Sequence, residues 1–374
     1  MSLSKNNRIL FLVNDLEFFI SHRLEIAINA RNNGYSVFVV SDKLPEVNYN
    51  DIKFLKINLK RSSLSFFSNF ISIRDFYFVV KKISPILVHS ITLKSIVISN
   101  LALIFDKKIK LINAISGLGY LFTSNRNPIA LKLLKFVLKT INSIGKPYYI
   151  FQNENDLQEF KKLGVKENYS LIKGSGVNHK DFKYNPPIKK DKISITYTGR
   201  ILKDKGIIEL INAVEILPKE IKSKVVLNIY GKIDFDNPTH IAEKEIKKLL
   251  KPNLIIWHGN SDDIKAVLIE SDIYCLPSYR EGLPKSTLEA MAIGRPIVTT
   301  NAPGCGDTVL EGVNGLKVNI KDHIALSKKL QILIEDEALR IEMGKNSRKL
   351  FEKEFTLEKV VNQTFEIYNF LLKR

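Results

Sequence analysis

The chain has 374 residues, 45% of them hydrophobic, and a formal net charge of +18 at pH 7. This length exceeds one ordinary domain and predicts two, and the composition excludes a disordered or fibrous protein. Two cysteines cannot form a disulfide framework, and the sequence shows neither a signal peptide nor an apolar run of about 18 residues. We therefore expect a cytoplasmic protein.

The positive charge is concentrated in the first half of the chain. Residues 1–200 carry 31 Lys and Arg against 14 Asp and Glu, whereas residues 201–374 carry 26 against 25. A one-sided basic surface favours an anionic partner, either a membrane surface or nucleic acid. A lysine-rich surface without a partner would give the same totals. No nucleic-acid recognition motif or stacking-aromatic pattern is visible, so we expect no nucleic-acid partner.

Short apolar runs alternate with helical periodicity in the first half, which predicts a parallel sheet with crossover helices. Residues 8–13 predict the first strand, and residues 18–34 predict a helix that ends at Gly34. Further elements are predicted as strands at 35–41, 85–90, 110–116 and 147–153 and a helix at 154–163.

The second half repeats this alternation after a polar, proline-bearing stretch at 179–192, which we interpret as an interdomain linker. Strands are predicted at 193–199, 225–231, 254–259, 273–278, 296–300 and 316–320, with helices at 205–217, 263–271 and 286–294. The predicted fold class is therefore α/β, with two Rossmann-like domains facing each other across a cleft. They comprise residues 1–185 and 186–354, with the last helix (355–374) crossing back onto the first domain.

The loop after the strand at 193–199 carries two cations. Gly199 ends the strand, Arg200 follows it, and Lys205 stands where the next helix begins. Ligands of open α/β sheets bind at the carboxyl ends of the strands, and a helix N-terminus favours an anion. The two cations could therefore neutralise a diphosphate leaving group, although an ordinary solvated loop would have the same sequence.

A pair of glutamates stands in the second half. Three other glutamate pairs share the spacing of Glu281 and Glu289, so the spacing alone is weak. Only this pair has one member in a Gly/Pro loop after a strand and the other within the next helix. One carboxylate could bind a sugar hydroxyl and the other a ribose, while exposed backbone N–H groups of Gly282 and Leu283 could meet phosphate or sugar oxygens.

Taken together, these segments resemble the family-4 retaining glycosyltransferases. The resemblance rests on SGVN (175–178), GR and KG (199–206), WHG (257–259), YREGLPKSTLEAMAIGRPIV (279–298) and APGCGDTVLEGVNGLKV (302–318). It implies the GT-B fold, a UDP-sugar donor and transfer with retention at the anomeric carbon. It further implies catalytic roles for Arg200 and Lys205 on the diphosphate and for Glu281 on the donor sugar. Glu289 is implied as the ribose ligand, with His258 beside the nucleobase.

No metal or other cofactor is expected. Breaking a sugar–phosphate bond builds negative charge on the departing diphosphate, which fixed cations stabilise. Other glycosyltransferases hold a divalent ion through an Asp-x-Asp motif, and Asp234-Phe235-Asp236 has that form. Because it stands in a polar stretch after a strand, we interpret it as an exposed loop.

The first half resembles a narrower subgroup, bacterial N-acetylgalactosaminyltransferases acting on undecaprenyl-diphosphate-linked sugars. The similar segments are NDLEFFISHRLEIA (14–27) and AISGLGYLFTS (114–124), although residues 14–17 lack the glycine of many family-4 members. The resemblance implies an acceptor side that comprises His22, Arg23, His89, Lys94, Ser116, Gly117 and Gly119. A lone histidine is more often structural.

Residues 127–149 predict a basic amphipathic helix. Its apolar side comprises Leu131, Leu134, Val137, Leu138 and Ile141, and its basic side Lys132, Lys135 and Lys139. With Lys60, Arg61, Phe66 and Phe67, this helix could seat the first domain on anionic lipid headgroups. A core-facing helix with solvated lysines is the alternative.

The sequence thus predicts a hexosyltransferase that is peripheral on the inner face of the cell membrane. It would move an N-acetylhexosamine, such as N-acetylgalactosamine, from a UDP-sugar to a polyprenyl-diphosphate-linked saccharide in surface glycan synthesis. Another UDP-hexose transferase of the family, or a UDP-sugar 2-epimerase on the same scaffold, is the alternative.

Overall fold

The computed structural model of the chain describes residues 7–49, 51–59, 66–118 and 128–373, with side chains from residue 69 onward in the third of these ranges. The chain forms two compact units. Unit 1 comprises residues 1–175 and 359–374, and unit 2 comprises residues 176–358.

Unit 1 contains a seven-stranded parallel sheet in the order β3-β2-β1-β4-β5-β6-β7. Its elements are β1 (Arg8–Val13), α1 (Leu16–His22), α2 (Leu24–Asn32), β2 (Ser36–Ser41), β3 (Lys53–Lys56), α3 (Phe66–Ile83), β4 (Leu87–Ile91), α4 (Leu93–Ala102), β5 (Lys110–Ile115), α5 (Pro128–Ile144), β6 (Tyr148–Phe151), α6 (Glu154–Lys161) and β7 (Tyr169–Leu171). The central strands β1, β4 and β5 are almost wholly buried, as expected for parallel strands with helices on both faces.

Unit 2 contains a six-stranded parallel sheet in the order β10-β9-β8-β11-β12-β13. Its elements are β8 (Ile193–Thr198), α7 (Ile207–Glu215), α8 (Lys219–Lys222), β9 (Val225–Tyr230), α9 (Glu243–Leu249), β10 (Ile255–Trp257), α10 (Ile264–Ile269), β11 (Ile273–Leu276), α11 (Lys285–Ile293), β12 (Ile297–Thr300), β13 (Gly315–Val318), α12 (His323–Glu335) and α13 (Glu337–Glu354). The last helix, α14 (Leu357–Leu372), belongs to unit 1 from Lys359 onward.

Both sheets have the same plan. The first strand of each unit is central, and the chain extends the sheet first to one side of it and then to the other. The strand order therefore reverses next to β1 in unit 1 and next to β8 in unit 2. Ligands of open parallel sheets bind at such reversal points, outside the carboxyl ends of the strands. The predicted α/β class with two Rossmann-like units is confirmed.

Two predicted boundaries differ from the structure. The division between the units lies after residue 175 rather than 185, because Val177 belongs to the core of unit 2 and Phe182 packs against it. The stretch at 179–192 is not a free linker, since Asn185 donates its backbone N–H to Ile293 and accepts from the buried Arg295.

The helix predicted at 18–34 is two helices. α1 is capped by Asp15, whose carboxylate accepts from the Phe18 N–H at 3.0 Å. The chain then breaks at Arg23, with φ −136° and ψ −9°, and α2 follows. This break turns the Arg23 side chain into the protein, where it is only 4% exposed.

Candidate functional site

The loops after β8 and β11 lie in direct contact at the reversal point of unit 2. Gly206 ends the 3-10 turn Lys203–Lys205 with φ 70° and comes so close to Pro277 that a Cβ atom would stand 2.0 Å from the Pro277 carbonyl oxygen. Only glycine fits this conformation and this approach. The two predicted donor loops therefore form one site.

Lys205 and Glu281 form an ion pair within this site. The Lys205 Nζ donates to Glu281 Oε1 at 2.5 Å, and the two side chains are 19% and 14% exposed. Ser278 Oγ donates to the same carboxylate oxygen at 2.6 Å. Glu281 Oε2 accepts no hydrogen bond from the described part of the chain, so it can receive a ligand hydroxyl.

Arg200 is held by a residue that the sequence did not single out as a partner. Its Nη1 donates to Asp234 Oδ2 at 2.5 Å, and the Asp234 side chain is 12% exposed. The segment 234–236 is a loop whose Phe235 and Asp236 are exposed, as we expected, but the Asp234 side chain is turned inward to Arg200. Arg200 Nε and Nη2 have no partner among the described residues, so they present a fork that suits a phosphate.

A second layer of contacts fixes both loops. The Tyr279 hydroxyl donates to Glu209 Oε1 at 2.5 Å, and the Tyr279 N–H donates to the Asp204 carbonyl oxygen at 2.9 Å. The buried Tyr197 hydroxyl donates to the carbonyl oxygen of Arg200 at 2.8 Å. These bonds fix the backbone on which Arg200 and Lys205 stand.

Glu289 lies in α11, close to the same strand ends. Its side chain is 13% exposed, and it forms an ion pair with Lys285, which lies one helical turn away at 3.5 Å. Burial raises the pKa of the Glu289 carboxyl, and the nearby Lys285 ammonium partly opposes that shift. A buried carboxylate at this position can accept hydrogen bonds from two neighbouring hydroxyls, as a ribose requires.

His258 follows β10 and is part of an aromatic platform. Its ring stacks on Tyr230 with centroids 4.4 Å apart and planes 8° from parallel, and Nε2 donates to Asn228 Oδ1 at 2.8 Å. Burial lowers the pKa of His258, which favours its neutral ring. Tyr230 and Asn228 were not predicted, although both belong to the strand whose end meets the WHG segment.

We expected the backbone of Gly282 and Leu283 to be exposed, but it is buried. Both residues are buried, and the Leu283 side chain belongs to the core of unit 2. The loop packs beneath Gly304, which has φ 77° and where a Cβ atom would come within 2.5 Å of the Gly282 carbonyl oxygen. This packing stiffens the loop that carries Glu281.

Three of the predicted acceptor-side residues belong to one cluster in unit 1, in which Arg23 and His89 are buried and Ser116 is half-buried. Arg23 Nη2 donates to Ser116 Oγ at 3.3 Å, and burial, together with Arg23, lowers the pKa of His89 to about 3. His89 Nδ1 lies 2.6 Å from the hydroxyl of Tyr368. Sequence reasoning missed Tyr368, because it lies in α14, 279 residues further along the chain.

A strained residue, Thr92, follows β4 near the remaining acceptor-side residues. Thr92 has φ 77°, rare for a β-branched residue, and its Oγ1 donates to Asn14 Oδ1 at 2.5 Å across the reversal point. Such strain is concentrated at functional sites. Lys94 lies in the first turn of α4, Gly117 has φ 103°, and the His22 ring stacks on Phe18 at 4.2 Å, while Gly119 lies outside the described residues.

The helix predicted to be amphipathic forms as α5. Leu138 and Ile141 are fully buried, so the predicted apolar side faces the core. A second set of apolar side chains on α5 is exposed, comprising Ile129, Leu133 and Phe136. Lys60 and Arg61 lie outside the described residues, as do the side chains of Phe66 and Phe67.

Within the described ranges, no helix is both long and apolar enough to cross a membrane. In the same ranges, no group of three or more His, Cys, Asp or Glu side chains is arranged to hold a metal ion.

Two family models match the chain. Residues 178–350 match the model for glycosyl transferases group 1, and residues 8–145 match the model for glycosyl transferase 4-like proteins. The matches cover most of both units and include the donor loops and the Arg23 cluster. The chain is a glycosyltransferase of the family-4-like kind and a hexosyltransferase by class, as its motifs predicted.

Two relatives agree with this assignment over most of their length. A capsular polysaccharide biosynthesis glycosyltransferase, CapM, of Staphylococcus aureus is 27% identical over 99% of this chain and 98% of its own. The N,N'-diacetylbacillosaminyl-diphospho-undecaprenol alpha-1,3-N-acetylgalactosaminyltransferase of Campylobacter jejuni is 28% identical over 78% of this chain and 80% of its own.

Solved structures confirm the fold. Sucrose-phosphate synthase from Thermosynechococcus elongatus superposes with a TM-score of 0.85 at 18% identity, over 98% of this chain and 100% of its own. Anabaena HepE, solved with UDP and glucose, superposes with a TM-score of 0.78 at 16% identity, over 97% of this chain and 100% of its own. The fold is therefore GT-B.

Proposed function

We propose that this protein transfers a sugar from a UDP-sugar to a polyprenyl-diphosphate-linked saccharide, with retention at the anomeric carbon. The observation that carries the proposal is the junction of the loops after β8 and β11. There Arg200 and Lys205 stand beside Glu281, with hydrogen-bonding capacity left on all three side chains. This arrangement suits a diphosphate on the cations and a sugar on the carboxylate.

The chemistry follows from the charges. When the bond between the sugar and the diphosphate breaks, negative charge develops on the diphosphate. Arg200 Nε and Nη2 and the remaining N–H groups of Lys205 would stabilise that charge from fixed positions. Because two cations perform this task, we propose that no metal ion or other cofactor takes part.

The remaining donor contacts are assigned by chemistry and position. Glu281 Oε2 would accept from a hydroxyl of the donor sugar, and Glu289 from the ribose hydroxyls. The stacked rings of Tyr230 and His258 would flank the uracil, since π-systems favour offset stacking with one another. Support for a UDP donor also comes from HepE, which was solved with UDP and glucose.

The acceptor assignment rests on the relatives and on unit 1. The Campylobacter relative is named for transferring N-acetylgalactosamine to a diphospho-undecaprenol-linked sugar, and CapM is named for capsule synthesis. We extend the first activity to this chain, with N-acetylgalactosamine as the preferred N-acetylhexosamine and a surface glycan (O-antigen, capsule or protein-linked) as the product. His22, Arg23, His89, Lys94, Ser116, Gly117 and Gly119 would serve the acceptor.

Helix α5 would place unit 1 on the inner face of the cell membrane. Ile129, Leu133 and Phe136 are 80%, 45% and 68% exposed, and Lys132 and Lys139 are exposed on the same helix. Apolar side chains beside lysines fit the boundary between headgroups and acyl chains of an anionic bilayer. The diphosphate of a polyprenyl acceptor lies at that same boundary.

Membrane binding is tested by flotation of the purified protein with anionic liposomes. Wild type should float at low salt, and Phe136→Ser should reduce the floating fraction. Phe235→Ser is the matched control, because Phe235 is 70% exposed but lies in unit 2. Equal flotation of both variants and wild type would exclude α5 as the membrane surface.

The activity is tested by a donor screen that measures UDP release. UDP-N-acetylgalactosamine, UDP-N-acetylglucosamine, UDP-glucose and UDP-galactose are each incubated with the protein, with and without lipid extracted from bacterial membranes. We expect release that depends on lipid and is fastest with an N-acetylhexosamine. Release without lipid would favour hydrolysis, and no release from any UDP-sugar would contradict the proposal.

A further inference from the structure

Arg23 is a buried cation without a counter-ion among the described residues. It is 4% exposed, and its guanidinium has two long hydrogen bonds, at 3.3 Å to Ser116 Oγ and at 3.4 Å to the His22 carbonyl oxygen. Its Nε has no partner, and no carboxylate pairs with it in the part of the chain that the structure describes. Burial lowers the pKa of Arg23 to about 10, a value at which the group is still charged at neutral pH.

Arg295, one of two buried arginines of unit 2, is an example of an arginine with a purely structural role. It is fully buried, and each guanidinium nitrogen donates to a backbone carbonyl oxygen, at 2.9 Å (Leu268), 3.0 Å (Asn185) and 3.1 Å (Ile269). The negative charge of Asp272 also raises the pKa of Arg295, against the larger effect of burial. Arg340 is also buried and has an unpartnered Nε, but its Nη1 donates to the carbonyl oxygens of Leu333 at 2.6 Å and Ile334 at 3.3 Å. Arg23 has neither the full set of bonds of Arg295 nor a short bond such as that of Arg340.

His89 adds a second donor without an acceptor. It is 1% exposed, its Nδ1 lies 2.6 Å from the Tyr368 hydroxyl, and its Nε2 has no partner. If the hydroxyl donates to Nδ1, one donor remains unsatisfied, the Nε2–H. The opposite arrangement would leave both the Tyr368 hydroxyl proton and the Nε2 lone pair unsatisfied. Because unsatisfied buried groups are costly, the Nε2–H form is favoured.

The cluster therefore presents N–H donors of Arg23 and His89 and a net positive charge, without a matching acceptor in the described ranges. A buried charge is tolerated when it is paired, and an isolated one costs stability. The cluster also lies beside the carboxyl end of a strand, where ligands of such sheets bind, because Ser116 directly follows β5 and Arg23 donates to it.

We propose that Arg23, His89 and Ser116 form an oxyanion site that binds a phosphate of the acceptor's diphosphate, with Tyr368 as a positioning residue for His89. That the phosphate comes from the acceptor rests on the proposed function. The existence of the oxyanion site does not. An oxyanion would accept from Arg23 Nε and His89 Nε2 and would balance the guanidinium charge. Phosphate suits the arginine fork, which binds two oxygens at once.

The first test is thermal unfolding with a defined anion. Saturating UDP is present throughout, so that the donor cations are occupied. Inorganic pyrophosphate should raise the melting temperature of wild type relative to chloride at equal ionic strength, because a ligand that binds only the folded state stabilises it. Arg23→Met should abolish that shift. An equal shift in wild type and Arg23→Met would overturn the proposal.

Stability without the anion gives an independent readout. Arg23→Met removes an unbalanced buried charge, so its melting temperature should equal or exceed that of wild type. Arg295→Met, the matched control, loses three carbonyl bonds and should melt well below wild type. A large loss of stability in Arg23→Met would show that Arg23 is structural and would contradict the site.

The source of the phosphate is tested by comparing the melting-temperature shifts caused by farnesyl diphosphate and by pyrophosphate. A larger shift with farnesyl diphosphate supports a polyprenyl diphosphate, whereas equal shifts support the oxyanion site but contradict its assignment to the acceptor. With lipid acceptor in the transfer assay, Arg23→Met should raise the acceptor KM at least about tenfold and leave the Kd for UDP unchanged. If wild type has no transferase activity but pyrophosphate still protects it through Arg23, the proposed function fails and the anion site stands.

Discussion

Both units have cations near the carboxyl ends of their strands but balance them differently. In unit 2, Arg200 pairs with Asp234 and Lys205 pairs with Glu281, so the protein itself supplies a carboxylate for each cation. In unit 1, Arg23 contacts Ser116 directly after β5, is more deeply buried, and has no carboxylate partner within the described ranges. The charge of Arg23 is therefore left to a ligand.

This difference predicts two kinds of mutational response. Where a carboxylate already holds a cation, removal of either side chain disturbs the position of the other. We expect such a substitution to lower mainly kcat. Where a buried cation has no partner, its removal costs binding of an anion but little stability. Each variant below either breaks this contrast or sharpens it.

The largest effect is expected for Glu281→Ala, because the substitution removes the sugar contact and also releases Lys205 and Ser278. We expect kcat to fall by about 10²- to 10³-fold, as when other preorganised polar contacts are lost. UDP release under saturating substrates measures the effect. Glu311→Ala is the control, since Glu311 pairs with Lys329 at 2.9 Å in the same unit. Full activity of Glu281→Ala would remove this residue from the site.

A smaller loss is expected for Asp234→Asn, which keeps the shape of the side chain but weakens its hold on Arg200. The kcat should fall about tenfold, whereas Arg200→Ala should cost about a hundredfold. Wild type should keep its activity in EDTA. If EDTA abolishes activity and magnesium restores it, Asp234 and Asp236 bind a metal and the cation mechanism is wrong.

The pH dependence of UDP binding tests Glu289. In the proposed donor site the ionised carboxylate would accept the ribose hydroxyls, and burial raises its pKa above the usual 4.5. As the pH falls, the carboxylate takes up a proton and loses acceptor capacity, so UDP affinity should start to fall at a pH higher than an exposed glutamate would give. Glu289→Gln should bind UDP more weakly near neutral pH and show a flatter profile. Calorimetric titration measures both, and identical profiles would contradict the assignment.

The parallel sheets were predictable because buried strands are short segments rich in apolar and β-branched residues, and turn residues separate them from the helices. Thus β1, β8 and β11 coincide closely with the runs at 8–13, 193–199 and 273–278. The break at Arg23 was not predictable, because apolar residues at helical spacing continue on both sides of it. The packing of residues 179–192 on unit 2 was hidden in the same way, since it depends on the distant Arg295 and α11.

The site was predictable as far as its residues belong to local motifs. Arg200, Lys205, Glu281 and Glu289 follow strands or begin helices, which is visible in the sequence. Ser278 directly precedes the YREGLP segment and could have been found from its place at the end of β11. Asp234 and Tyr368 could not, because each acts on a residue 34 or 279 positions away and only tertiary packing brings them together.

The smallest effect is expected for Tyr368→Phe, which removes the hydroxyl that sets the His89 tautomer. The acceptor KM should rise about three- to tenfold with little change in kcat, since a hydrogen bond of this kind contributes about 1 kcal/mol. The ¹⁵N shifts of the His89 ring should report a change of protonated nitrogen. If the ring and the KM are both unchanged, Tyr368 does not position His89.

The division of labour between the two sheets is tested most directly by one kinetic comparison. UDP release is measured for wild type, Glu289→Ala and Arg23→Met while donor and lipid acceptor are varied in turn. The account predicts a raised donor KM only in Glu289→Ala and a raised acceptor KM only in Arg23→Met. An acceptor KM that is unchanged in Arg23→Met, or a donor KM that rises equally in both variants, would contradict it.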